Sequence, residues 1–203
     1  MKYKCSFLWD AVEFGNALVF YMQHNKALQG VPRLLENMSD NTYSLRVTED
    51  SDAMKLEKFF AEQPKSAFEF FKPHDLDIKS IQKILRNKAF QTFVVMEHDE
   101  IVGYFFLRSY INGKCFRGRM VDYRSRGKGV GKLMAKAIER IAVYEGLRMY
   151  ASISPDNHAS LNSAKAVSDV RIIKTLVNGY YYIECFPRQD NTNRGGGKTQ
   201  IIR

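Results

Sequence analysis

One stretch of nine residues constrains this chain more than any other: Arg124-Ser125-Arg126-Gly127-Lys128-Gly129-Val130-Gly131-Lys132. It lies between a strand-like run and the most helical run in the sequence. Three glycines at alternate positions strip side chains from the turn, so backbone N–H groups can close on a ligand. The same N–H groups open the helix that starts near Val130, and a helix N-terminus binds anions through free donors and its dipole. Arg124, Arg126, Lys128 and Lys132 add positive charge there. The combination makes a seat for a pyrophosphate-like group.

Charge distribution supports a compact anionic ligand. The net charge is +9. Between residues 114 and 136 lie Lys114, Arg117, Arg119, Arg124, Arg126, Lys128, Lys132 and Lys136, with Asp122 the only carboxylate before Lys136. A uniformly basic surface would point to nucleic acid; a concentrated patch at a glycine-rich helix start points to a polyphosphate, and no nucleic-acid partner is expected. A hydrophobic content of 45% and 203 residues suffice for one packed domain. Cys5, Cys115 and Cys185 are too few and too scattered for a disulfide framework or a zinc site, so no metal is expected. Neither a signal peptide nor a membrane span is read, and a cytoplasmic location is the expectation.

Periodicity predicts the elements. Residues 1–40 fit a helical stripe through Leu8, Ala11, Val12, Leu18, Val19 and Met22, although Gly15-Asn16 could also turn a hairpin. A second short helical run starts at Val31-Pro32. Tyr43–Thr48 alternates as a strand, and a helix through Phe60 follows, capped by Thr48, Asp50 or Ser51. Residues 63–77 read as a loop with a short helix and the aromatics Phe68, Phe70 and Phe71. A helix over 78–87, strands over 91–97 and 101–110, the hairpin signal Asn112-Gly113 and a strand over 115–123 lead to the glycine-rich turn. A helix over 130–145, a strand over 147–153, a helix over 155–167 capped by Ser154 or Asp156, and a hairpin over Asn178-Gly179 complete the domain. Two other phosphate motifs do not fit. The turn reads Gly-x-Gly-x-Gly, not Gly-x-Gly-x-x-Gly, and the tail Gly195-Gly196-Gly197-Lys198-Thr199 lacks the first glycine of a Walker A loop and a helix to follow.

This order resembles the GNAT superfamily of N-acetyltransferases. The family signature Gln/Arg-x-x-Gly-x-Gly/Ala stands here as Arg124-Ser125-Arg126-Gly127-Lys128-Gly129. An Asn three residues before a small residue on the next helix stands as Asn157 and Ser160. The resemblance covers about residues 42–187. It implies an α/β fold with a mixed, mostly antiparallel sheet flanked by helices, and strands that splay at a coenzyme A site. The expected organisation is a helical N-terminal extension over 1–40 that packs on the domain or makes a homodimer contact, an acetyltransferase domain over 41–187, and a disordered tail over 188–203.

The resemblance implies acetyl-CoA as cofactor, without metal. It places the diphosphate on N–H groups from Arg126 to Gly131, with Gly127, Lys128, Gly129 and Val130 between them, and Arg124, Arg126, Lys128 and Lys132 neutralising charge. The pantetheine arm would pair with the strand backbone near Met120 and Val121, a backbone N–H near Val121 would hold the oxyanion, Asn157 would bind the arm's amides, and Ser160 belongs to the same cofactor-binding set. The implied reaction is direct attack by a primary amine of a small molecule, such as an amino sugar, in a ternary complex. A protein N-terminus or lysine is the alternative acceptor, and a non-catalytic acyl-CoA sensor the alternative class. The acid and base stay open. The strand before the turn has no Glu, and the position of the family's acidic Tyr is Ala164. His74, Asp75, Tyr110, Asp122 and Tyr180 are the candidates, without a decisive signal for any. Cys115 reads as a small core residue.

Overall fold

The computed structural model describes residues 6–71 and 73–188. The predicted disordered tail beyond 188, Cys5 and the side chain of Trp9 therefore lie outside the described residues. The elements run α1 (Ser6–Glu36), β1 (Ser44–Val47), α2 (Ala53–Ala61), α3 (Ile78–Leu85), β2 (Phe90–Glu97), β3 (Glu100–Ser109), β4 (Lys114–Val121), α4 (Val130–Tyr144), β5 (Arg148–Ile153), α5 (His158–Val167), β6 (Ser168–Thr175) and β7 (Tyr181–Pro187). Seven strands form one sheet in the order β1-β2-β3-β4-β5-β7-β6. Only β4 and β5 are parallel, because α4 carries the chain back over the sheet between them. This is the mixed, mostly antiparallel sheet that the family resemblance implies.

The sheet has a core on each face. On one, the stripe Val130, Met134, Ala137, Ile138, Ile141 and Ala142 of α4 packs against inward-facing residues such as Val95, Phe105, Cys115 and Met149. On the other, Leu56, Phe59 and Phe60 of α2 and Ile81 of α3 meet Phe90, Val94, Tyr104 and Phe106. The alternation of β2 and β3 thus feeds two cores, which is why their sequences are apolar almost without interruption.

The N-terminal segment is helical, as its apolar stripe predicts, but it is one long helix. Gly15-Asn16 turns no hairpin, and the run from Val31-Pro32 is no separate helix; α1 continues through both for 31 residues. Tertiary contacts override the local signals. Asn16 donates from Nδ2 to the Ser109 carbonyl at 2.9 Å and accepts from the Ile111 N–H at 3.2 Å. Glu13 pairs with Arg108 at 2.6 Å. Phe20, Val31 and Leu35 are fully buried in the α4-side core. Two helix starts also move. The α2 approach uses a reciprocal Glu49–Asp52 box, not a Thr48, Asp50 or Ser51 cap. The last helix starts at His158 with Asn157 as its cap, not Ser154 or Asp156.

Candidate active site

The site is built where β4 and β5 stop pairing. Their parallel register runs Lys114↔Arg148, Cys115↔Met149 and Phe116↔Tyr150, and ends there. β4 continues to Val121 and β5 to Ile153, so the strands part beyond Phe116 and Tyr150. Pairing with β3 fixes which β4 groups face the gap. Asp122 N–H donates to Val102 and Tyr110 N–H donates to Lys114, at the two ends of an unbroken register. In an antiparallel pair such bonds recur at every second residue. Residues 116, 118 and 120 thus bond to β3, and the N–H groups of Arg119 and Val121 face the opening. The backbone of Met120, expected to back a ligand, is taken up by β3; its side chain lies in the wall.

A cleft of about 960 Å³ fills the gap. Met120, Val121, Arg126, Gly127, Gly131, Asn157 and Ser160 all line it, so the structure brings the two sequence motifs to one place. At its open end the turn rises into α4. Gly127 and Gly129 adopt φ of +78° and +90°, the left-handed region that favours glycine. The N–H groups of Gly127, Gly129, Val130 and Gly131 have no acceptor among the described residues. Such donors, at the start of a 15-residue helix, are free to receive an anion. Across the gap Asn157 accepts from the Ser160 N–H at 3.0 Å, which fixes its side-chain carbonyl and leaves its amide NH₂ available.

Other assignments change. Arg124 does not face the cleft: it donates from Nε to Asp122 at 2.9 Å and from Nη2 to Glu62 at 2.9 Å. Its cationic head is spent on the domain's own carboxylates. Val130 is fully buried, so only its backbone can serve a ligand. Lys128 and Lys132 are not in the cleft wall.

The acid–base candidates also disperse. Asp122 is buried and receives Arg124 and Gln63. Burial opposes its charge, but these bonds outweigh it and hold the carboxyl below its ordinary range, which makes it a poor base. His74 sits behind the cleft wall among Phe60, Phe90 and Tyr104, 3.1 Å from the Tyr104 hydroxyl. Burial lowers its pKa. Asp75 is exposed, and neither it nor Tyr180 lines the cleft. Tyr110 does line it. Cys115 is fully buried and its thiol is pushed up to about 12 by burial, in keeping with a core residue. No group of three or more His, Cys, Asp or Glu among the described residues is placed to hold a metal ion.

What the sequence did not single out is the cleft's cationic wall. Arg108, Arg117 and Arg119 line it together with Arg126, and among the described residues no Asp or Glu does. The signal was the alternation Arg117-Gly118-Arg119 on β4, visible only as part of the general basic patch.

A seven-stranded sheet parted between its two parallel strands, with a glycine-rich helix start at the mouth, defines a nucleotide-thioester-binding acyltransferase. The model of the acetyltransferase (GNAT) family matches residues 55–166, more than half of the chain, and the protein belongs to that family. The aminoglycoside acetyltransferase AAC(6')-Ib, solved with paromomycin and acetyl-CoA, is similar at 16% identity and a TM-score of 0.59, over 77% of this chain and 100% of its own. The GNAT domain of S. lividans PAT is similar at 14% identity and a TM-score of 0.61, over 70% of this chain and 89% of its own. RimL, a ribosomal L7/L12 alpha-N-protein acetyltransferase, is similar at 15% identity and a TM-score of 0.58, over 73% and 91%. At these identities the likeness is one of fold. Among curated proteins none matches the sequence significantly.

Proposed function

We propose that the protein transfers an acetyl group from acetyl-CoA to the primary amine of a small molecule. The observation that carries this reading is the end of β4–β5 pairing at Phe116↔Tyr150, which opens a cleft beside a helix start with free N–H donors. The residues present fit the cofactor. Gly127, Gly129, Val130 and Gly131 offer backbone donors to the diphosphate, and Arg126 and the dipole of α4 oppose its charge. The N–H groups of Arg119 and Val121 offer a β-strand edge to the pantetheine amides, and the Asn157 amide donates from the other side. The arm enters at the turn, so its reactive end lies towards the closed end of the gap. Arg119 N–H is therefore nearer to it than Val121 N–H, the donor expected from the sequence. Acetyl-CoA supplies an activated thioester, and the chain's task is to hold it and admit the amine.

The acceptor side is the aromatic end of the same cleft, walled by Phe70, Phe71, Phe90, Phe106 and Tyr110. Such a pocket suits a small molecule. Polycationic amines are disfavoured, because the wall holds arginines and, among the described residues, no carboxylate. Thiol release from acetyl-CoA, followed across a panel of amines, amino sugars and peptides, tests the reading. Turnover on small amines supports it. Turnover on peptides alone would replace it with a protein acetyltransferase, and tight CoA binding without turnover would replace it with an acyl-CoA sensor.

A further inference from the structure

The arginines of the cleft have unequal partners. Arg108 is neutralised by Glu13 at 2.6 Å. Arg126 stands at the turn, where the proposed diphosphate lies. Arg117 and Arg119, two apart on β4, point to the same face, and neither has a carboxylate partner among the described residues. The described partner of Arg117 is the Cys185 sulfur, at 3.2 Å from Nη2. Arg119 lines the cleft and is half-buried, while its Nη1 is fully enclosed and has no hydrogen-bond partner among the described residues. Burial, and then the charge of Arg117, push its guanidinium down to about 9.

An enclosed guanidinium N–H group without an acceptor is costly, and a second cation beside it adds repulsion. Neither the diphosphate seat nor the neutral acetyl group answers this charge. A planar fork of N–H donors matches a carboxylate with two parallel bonds.

We propose that Arg119, assisted by Arg117, is a carboxylate-binding site in the wall of the cleft, and that one of the two substrates carries that carboxylate. The proposal rests on the acyl-CoA reading of the cleft. The carboxylate has two sources: the free end of a dicarboxylic acyl group on CoA, or the acid group of an amino-acid-like acceptor. Either source makes the protein selective for an anionic substrate, in contrast to enzymes that acetylate polycationic sugars.

The full-length protein tests this by calorimetry and thermal shift, with CoA alone as the control for the underlying reading. The donor arm compares succinyl-CoA and malonyl-CoA with acetyl-CoA. The acceptor arm, with CoA present, compares amino acids with their carboxamides. In the wild type, one arm shows at least about a tenfold preference for the carboxylate, as expected of a charge-assisted pair. Arg119→Met removes that preference, Arg119→Lys keeps part of it, and ligand-free Arg119→Met melts at or above the wild-type temperature. The proposal is overturned if neither arm discriminates or if the preference survives Arg119→Met. It is also overturned if that variant melts lower, or if it weakens CoA, neutral and carboxylated ligands by one common factor, because the guanidinium then serves the fold or the pantetheine. Wild-type protein that does not bind CoA at all would instead overturn the acyl-CoA reading.

Discussion

At the scale of single residues, the glycines of the turn have separable roles. Gly129 sits at φ +90°, so a β-branched side chain there strains the backbone by about 1–3 kcal/mol. Gly129→Val is expected to abolish CoA binding and lower the melting temperature. Gly131 has ordinary helical geometry, and an added Cβ would lie 3.5 Å from Val121, a normal contact. Gly131→Ala is therefore expected to keep or slightly raise stability while weakening CoA binding, because the new methyl enters the cleft. Calorimetry and thermal melts of the two variants separate the effects. Glu145, at the end of α4, makes a different prediction. It accepts from Gln91 at 2.7 Å while its other oxygen is buried without a partner. Burial raises its pKa from 4.5 to about 7. The folded state thus holds this proton more tightly than the unfolded chain, and stability falls as pH rises from about 4.5 to about 7. Glu145→Gln should remove that fall and stabilise the protein at pH 8 by at most about 3 kcal/mol. Chemical denaturation at pH 5 and pH 8 measures it; equal wild-type and variant stabilities at both pH values would contradict it.

At the scale of elements, α5 links stability and binding through Asn157. The residue expected to hold the cofactor is also the helix cap, through Ser160 N–H. Asn157→Ala loses both roles and should cost about 1 kcal/mol of stability as well as CoA affinity. Asn157→Asp keeps the acceptor and loses the NH₂ donor, so it should melt like the wild type yet bind CoA more weakly. Equal CoA affinity in Asn157→Asp and wild type would remove the amide from the site. The elements also show what was legible beforehand. The α4 stripe, the two hairpins and the glycine-rich turn carry their signals locally, in side-chain period and turn chemistry, and were readable in the sequence. α1 was not. Gly15, Asn16 and Pro32 all signal breaks, and tertiary contacts hold the helix through them: Asn16 docks on the β3–β4 turn, Glu13 pairs with Arg108, and Phe20, Val31 and Leu35 are buried. The fates of Arg124 and His74 were hidden for the same reason. Asp122 and Glu62 claim the arginine, and Phe60, Phe90 and Tyr104 enclose the histidine, yet the partners that settle each lie up to 62 positions away in sequence.

At the scale of the whole molecule, the two cores hold a sheet that is closed everywhere except between β4 and β5. Glu184 ties together the three strands on one side of that opening: buried in β7, it binds Arg148 and Tyr150 of β5 and Arg171 of β6. The cleft wall offers no carboxylate or imidazole among the described residues, so nothing in it is suited to deprotonate an incoming ammonium at neutral pH. For an active amine, kcat/KM is accordingly expected to rise about tenfold per pH unit up to the pKa of the amine itself. A plateau set in near pH 6–7 would reveal an enzyme base outside the described wall.

Backbone N–H chemical shifts of labelled protein titrated with CoA probe the central geometry most directly. The largest changes are expected at Arg119 and Val121, at Gly127, Gly129, Val130 and Gly131, and at Asn157 with the end of β5. Saturable changes confined to another face of the sheet, with these signals still, would contradict it.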